Sequence, residues 1–188
     1  MNIAVIFAGG VGKRMHSKEC PKQFLKIYNK PIIIHTLEYF EKHPLIDAIV
    51  ISCVEEWMPY LEELIYKYRI EKVKKVVVGG ETGQLSIYNG LKAAEDVANG
   101  EKAIVLIHDG VRPLINAKLI TDNIESVKKN GSAITTAVVK ETILVVNEGT
   151  ATINYVPSRK NSRNTITGVT IIQSSTPHSV GQKFHHRN

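Results

Sequence analysis

The chain has 188 residues (20.9 kDa), 43% of them hydrophobic and 22% charged, with a formal net charge of +6. That is enough for one domain with a sizeable core, and the balance excludes a disordered polyampholyte. No apolar run reaches the roughly 20 residues that span a bilayer, Met1–Phe7 lacks the basic start of a secretory signal, and the cations are not striped with aromatics as on a nucleic-acid surface.

Short β-branched runs alternate with amphipathic stretches, which predicts βαβ units and a mostly parallel sheet. Ile3–Phe7 reads as a buried strand, and Pro31 opens a helix to about Lys42. Ala48–Val54 is a second strand. Trp57–Tyr68 is a helix with Glu62 and Glu63 early and Lys67 and Arg69 late, a polarity that suits the helix dipole. Lys74–Val78 is a strand ending at Gly79-Gly80, and a helix starts at Thr82 or Gly83 and stops near Gly100. Ala103–Ile107 is a strand leading into His108-Asp109-Gly110. Ala117–Asn130 is a helix closed by Gly131, and Ser132–Val138 a further strand.

Beyond this point the pattern changes. Thr142–Val146 and Thr150–Val156 flank Asn147-Glu148-Gly149 and read as a β-hairpin that projects as an arm over about residues 139–160. Residues 164–188 are aperiodic and read as a divergent tail after a domain of residues 1–163. From residue 151 on there are Arg159, Lys160, Arg163, Lys183 and Arg187 but no Asp or Glu. Cys20 and Cys53 form neither a Cys-x-x-Cys pair nor a framework, which points to a reducing compartment and a cytoplasmic location.

The chemistry concentrates in a few segments. Ala8-Gly9-Gly10-Val11-Gly12-Lys13-Arg14 follows the first strand directly, and its glycines let backbone N–H groups approach phosphate oxygens. It is not a P-loop, because Phe7 stands where the first glycine belongs and Arg14 follows the lysine. It is not a dinucleotide fingerprint either, because Met15 replaces the third glycine, which argues against a dehydrogenase. The plainer reading is a tight turn beside solvated bases. In Pro21-Lys22-Gln23-Phe24, Lys22 stands behind a proline and ahead of an aromatic and can reach back over the same strand edge; standing alone it reads as an ordinary surface lysine.

Val105–Ile107 delivers Asp109 at a strand's carboxyl end, where open α/β sheets bind ligands. Asp109 suits Mg²⁺ beside a triphosphate, and Arg112 suits phosphate or carboxylate. The alternative is an Asp109–Arg112 pair that only stabilises the turn. His108 reads as a hydrogen-bonded structural histidine. Gly79-Gly80 and Ser86 bring amides and a helix N-terminus to an anion or a base edge, with Thr82 equally an N-cap. Trp57, Tyr60, Tyr66 and Tyr68 read as helix packing, and no histidine has metal-ligand spacing.

Taken together, Ala8-Gly9-Gly10-x-Gly12-x-Arg14-Met15, Pro21-Lys22-Gln23, Gly79-Gly80, Ser86 and His108-Asp109-Gly110-Val111-Arg112-Pro113 resemble the cytidylyltransferases that act on polyol phosphates, over about residues 2–163. The resemblance implies a Rossmann-like three-layer α/β fold and CMP transfer from CTP to ribitol 5-phosphate or 2-C-methyl-D-erythritol 4-phosphate, with Mg²⁺ and release of pyrophosphate. It implies that Ala8, Gly9, Gly10, Gly12, Lys13, Arg14 and Lys22 surround the triphosphate, Arg14 and Lys22 being catalytic. Gly80 and Ser86 would lie near the cytosine, and Asp109 near metal and ribose. Arg112, Thr142 and Arg159 would grip the polyol phosphate, with the arm crossing to a second subunit of a homodimer.

Three departures from the family pattern bear on activity. Gly83 stands where many members have Arg, Thr167 is followed by Gly168-Val169 instead of Pro-Gln, and the chain ends before a late Lys and acid. They support a second expectation: a truncated member that binds nucleotide without turnover. Gly9-Gly10 and Val111 lean towards the ribitol phosphate branch.

Overall fold

The computed structural model describes residues 1–9, 20–138, 145–146, 153–158 and 163–174. In chain order the elements are β1 (Asn2–Ala8), β2 (Lys26–Ile27), β3 (Lys30–Pro31), α1 (Ile32–Lys42), β4 (Ala48–Cys53), α2 (Met58–Lys67), β5 (Val73–Val78) and α3 (Gly83–Ala98). There follow β6 (Ala103–Asp109), α4 (Ala117–Asn130), β7 (Ser132–Val138), β8 (Val145–Val146), β9 (Ile153–Tyr155) and β10 (Arg163–Ser174). Six strands form the main sheet in the order β5-β4-β1-β6-β10-β7. β1, β4, β5 and β6 run parallel, and β10 lies antiparallel between β6 and β7.

The central strands are apolar almost throughout because both faces of the sheet are covered. Ala4, Ile6, Ala8, Ile49, Ile51 and Leu106 pack towards α1, α2 and α4 through Ile33, Leu37, Phe40, Leu61, Ile120 and Ile124. The alternate residues Ile3, Val5, Val50, Val105 and Ile107 pack towards α3 through Leu91, Ala93, Ala94 and Ala98. Period-two alternation thus splits one strand between two cores, and the result is a three-layer α/β fold. The small residues of α3 let it lie close to the sheet: a Cβ on Gly90 would stand 2.6 Å from Val5 Cγ1.

Several expectations are corrected in detail. α1 starts at Ile32, because Lys30–Pro31 pairs with Lys26–Ile27 in a small hairpin. Its turn residues Tyr28 and Asn29 take φ of 50° and 62°. That conformation usually signals itself by Asn-Gly, and here it has no glycine to announce it. A 3-10 turn, Glu55–Trp57, precedes α2, so Glu62 and Glu63 stand mid-helix and Glu55 and Glu56 are the acids near its start. Asn99, at φ 47°, caps α3 ahead of Gly100. Arg163–Ser174 is a strand of the sheet and not part of a tail. Its Thr-, Val- and Ile-rich stretch lacks a clear alternation, and the register shift between Thr165 and Thr170 around Gly168 interrupts the period of two. The expected hairpin appears as β8 paired antiparallel with β9 in a sheet of its own; its turn lies outside the described residues, as do residues 175–188.

Two consequences for stability follow from the core. Ser52 on β4 is fully buried, and its hydroxyl has no hydrogen-bond partner among the described residues. Burying an unpaired hydroxyl costs about 1–3 kcal/mol, so Ser52→Ala is expected to stabilise the fold by about 1 kcal/mol and raise Tm by about 2–4 °C in calorimetry. Burial pushes the Cys53 thiol up to about 11 from 9.0. The fold therefore favours the protonated thiol: its contribution is complete below about pH 9 and is lost as pH rises towards 11. Urea midpoints are expected to fall across that window, and less steeply in Cys53→Ala.

Candidate functional site

The strand order reverses between β1 and β6, since β4 and β5 extend the sheet to one side of β1 and β6, β10 and β7 to the other. In open α/β sheets the crevice beyond the carboxyl ends at such a point is where ligands bind. The register makes this concrete. Phe7 pairs with Asp109 and Ala8 with Cys53, and the Gly110 N–H donates to the Phe7 carbonyl at 3.0 Å. The start of the glycine turn and the strand-end acid therefore leave the sheet side by side.

The Gly79-Gly80 segment joins them. Gly79 N–H donates to the Cys53 carbonyl at 2.6 Å, at the end of the strand beside β1. Ser86 Oγ, fully buried, accepts from Gly80 N–H at 3.0 Å and donates to the Thr82 carbonyl at 3.0 Å. Gly9 packs directly on this hydroxyl: a Cβ at position 9 would fall on Ser86 Oγ and lie 3.6 Å from Gly79 Cα. Ala8, Gly9, Gly80, Ser86 and Asp109 thus share one end of the sheet. What is observed for Ser86 is a hydroxyl committed to shaping the turn between β5 and α3. Thr82 is the N-cap, accepting from Leu85 N–H at 3.2 Å. Gly83 has no atom of the described residues within 4 Å of a built Cβ.

Lys22 is exposed on a 3-10 turn, Lys22–Phe24, whose other two residues are buried. Gln23 Nε2 donates to the Ala8 carbonyl at 2.7 Å. Phe24 stacks on Trp57 with centroids 5.1 Å apart and meets the edge of Tyr60 at 5.4 Å. Trp57 and Tyr60 therefore wall the lysine turn, whereas Tyr66 is 89% exposed and packs nothing. Gln23 stood in the Pro21-Lys22-Gln23 motif, but reading the sequence assigned it no role of its own.

Asp109 is held by its own loop. Oδ1 accepts from Val111 N–H at 3.1 Å and Oδ2 from Arg112 Nε at 3.2 Å. The turn-stabilising pair considered from the sequence is present, and it places Arg112 at the same edge. His108 is fully buried, donates from Nε2 to the Arg112 carbonyl at 2.9 Å, and rests on Phe40 with centroids 5.3 Å apart. It is structural. Thr36 Oγ1 on α1 donates to the Gly110 carbonyl at 3.0 Å.

No group of three or more His, Cys, Asp or Glu that would cage a metal occurs among the described residues. A lone, partly exposed carboxylate fits Mg²⁺, which keeps several waters and is commonly held by one or two carboxylates together with substrate phosphates. Each Asp109 oxygen accepts one protein hydrogen bond and keeps a lone pair for such a contact. Gly10, Gly12, Lys13, Arg14, Thr142 and Arg159 lie outside the described residues.

Comparison with known proteins adds a family. Residues 2–173 match the family described as 2-C-methyl-D-erythritol 4-phosphate cytidylyltransferase, IspD. A ribitol-5-phosphate cytidylyltransferase of Streptococcus agalactiae serotype Ia is 55% identical over 148 residues, covering 79% of this chain and 62% of the relative. A 2-C-methyl-D-erythritol 4-phosphate cytidylyltransferase of Clostridium acetobutylicum is 42% identical over 149 residues, covering 79% and 62%. The match thus spans about three fifths of these relatives' length. The crystal structure of 4-diphosphocytidyl-2C-methyl-D-erythritol synthase from Anaerococcus prevotii superposes with a TM-score of 0.77 at 24% identity, over 92% of this chain and 69% of that one, and shares its fold.

The Gly9–Ser86 contact yields a direct test. Gly9→Ala is expected to push Ser86 Oγ off Gly80 and Thr82 and to lower stability by about 1–3 kcal/mol in urea unfolding, as overpacking does. Gly83→Ala, at an open site, is expected to leave the Gly80 turn intact.

Proposed function

The chain belongs to the 2-C-methyl-D-erythritol 4-phosphate cytidylyltransferase family, and on that premise we propose that it transfers CMP from CTP to a polyol phosphate, releasing pyrophosphate. The observation that carries this reading is the pairing of Phe7 with Asp109 at the switch point, which brings Ala8-Gly9, the start of the glycine-rich segment, and a carboxylate to one edge. An oxygen of the polyol phosphate attacks the α-phosphorus of CTP, and the bond to the pyrophosphate leaving group breaks. That oxygen is already anionic near neutral pH, so positioning and charge neutralisation matter more than a strong general base.

Backbone amides of the glycine turn, with Lys13, Arg14 and Lys22, receive the triphosphate in this reading. Gly80 and Ser86 shape the wall for the cytosine, and Arg112, Thr142 and Arg159 receive the polyol phosphate. Asp109 holds Mg²⁺, which when bound offsets charge on the phosphates. Arg112 already lies at the edge through its contact with Asp109. We further propose that the β8–β9 arm contributes Thr142 and Arg159 across a homodimer. Ribitol 5-phosphate is the favoured acceptor, supported by the 55% identity to a relative of that name against 42% for the methylerythritol one. Cys20 and Cys53 are not joined in a disulfide and no helix among the described residues is long and apolar enough to cross a membrane, in keeping with a cytoplasmic enzyme.

The deciding experiment is formation of the CDP-polyol from CTP and each polyol phosphate, alongside thermal shifts with CTP–Mg²⁺, ATP and NAD. Product from ribitol 5-phosphate with a CTP-selective shift supports the reading. CTP binding without product identifies a nucleotide-binding module, and a shift with NAD alone overturns both. Removing one preorganised donor costs about 2.7–4 kcal/mol of barrier, so Lys22→Ala is expected to lower kcat on the order of 10²–10³-fold. Near-normal turnover in that variant removes Lys22 from the mechanism.

A further inference from the structure

We infer that Gln23 is a positioning residue for this reaction, aiming the first amide of the glycine turn and seating Lys22 against the end of β1; the inference rests on the function proposed above. Gln23 is 2% exposed, and a buried carboxamide is tolerated only where it is hydrogen-bonded. Its Nε2 reaches the Ala8 carbonyl at 2.7 Å, fifteen residues back along the chain. Ala8 is the last residue of β1. Its carbonyl and the Gly9 N–H belong to one planar trans peptide and point in opposite directions. Holding the oxygen towards Gln23 therefore fixes Gly9 N–H on the opposite side, so the turn begins with its first donor set.

The same side chain controls Lys22. The 3-10 turn is closed by Phe24 N–H to the Pro21 carbonyl at 2.9 Å and by Leu25 N–H to the Lys22 carbonyl at 3.2 Å. Gln23 ties this turn to β1, and Phe24 ties it to Trp57 and Tyr60. The backbone of Lys22 cannot shift relative to Ala8 without breaking one of these anchors. Gln23 touches no reacting atom in this scheme; it acts through Gly9 and Lys22.

The test uses the 188-residue chain with Gln23→Met, which keeps the shape and loses the donor, Lys22→Ala, and the double variant. In ¹H–¹⁵N spectra without ligand, Gly9 and Lys22 amides are expected to move in Gln23→Met while Phe40 stays in place. A Gly9 resonance that does not move overturns the inference. In turnover, Gln23→Met is expected to lower kcat by up to about 10²-fold, the scale of a small misplacement of a catalytic group. In the Lys22→Ala background the same change is expected to have little further effect. Equal losses in both backgrounds mark a merely structural glutamine and overturn it. If Gln23→Met does not fold, Gln23→Glu replaces it in both measurements. A native chain that neither binds CTP nor turns over sinks the functional reading and the catalytic half of this one, whereas Gly9 still decides whether Gln23 anchors the turn.

Discussion

The pairing of β1 with β6 is the constraint on which the rest of this structure depends. A parallel ladder lets two distant segments end together, and the register that sets Phe7 opposite Asp109 brings residues a hundred positions apart to one edge. The crossover that makes this possible is long. It passes through β4, β5 and three helices before returning beside β1, leaving the reversal of strand order as the place where loops diverge. The hydrophobic layers on either side hold the register, because a slip by one residue would exchange the α1 face for the α3 face at every position.

Around that edge, buried polar side chains tie loops to backbone carbonyls. Gln23 holds Ala8, Thr36 holds Gly110 and His108 holds Arg112. The opposite end of the sheet has a tie of its own: His43 donates from Nε2 to the Ala117 carbonyl at 3.1 Å, with Nδ1 accepting from Leu45 N–H, which fixes the tautomer. Gly110 and Arg112 are loop residues, so removing their donors leaves an unpaired oxygen as well as a freed loop. Such ties suit a site whose chemistry needs groups held in place more than it needs unusual protonation.

Similarity to both ribitol-5-phosphate and 2-C-methyl-D-erythritol 4-phosphate cytidylyltransferases fits a scaffold in which nucleotide handling and acceptor choice reside in separate segments. In the proposed arrangement the first belongs to the strand ends, and the second to the arm together with Arg112. Gly83 meets no described atom within 4 Å of a built Cβ, so no packing contact among the described residues requires a glycine there.

Sequence alone determined the strand and helix order, the parallel sheet, the terminator Gly131, and the short segments that carry chemistry. Periodicity and capping are local properties that a run of residues expresses by itself. It did not determine that residues 163–174 enter the sheet, because the register shift between Thr165 and Thr170 interrupts the period-two pattern that would announce a strand. Nor did it disclose the Tyr28-Asn29 turn, where left-handed backbone is imposed without glycine. Tertiary structure alone decided that Gln23 meets Ala8 and that Gly9 rests on Ser86. Both are contacts between segments far apart in the chain. No local pattern encodes them, because they exist only once the sheet has set its register.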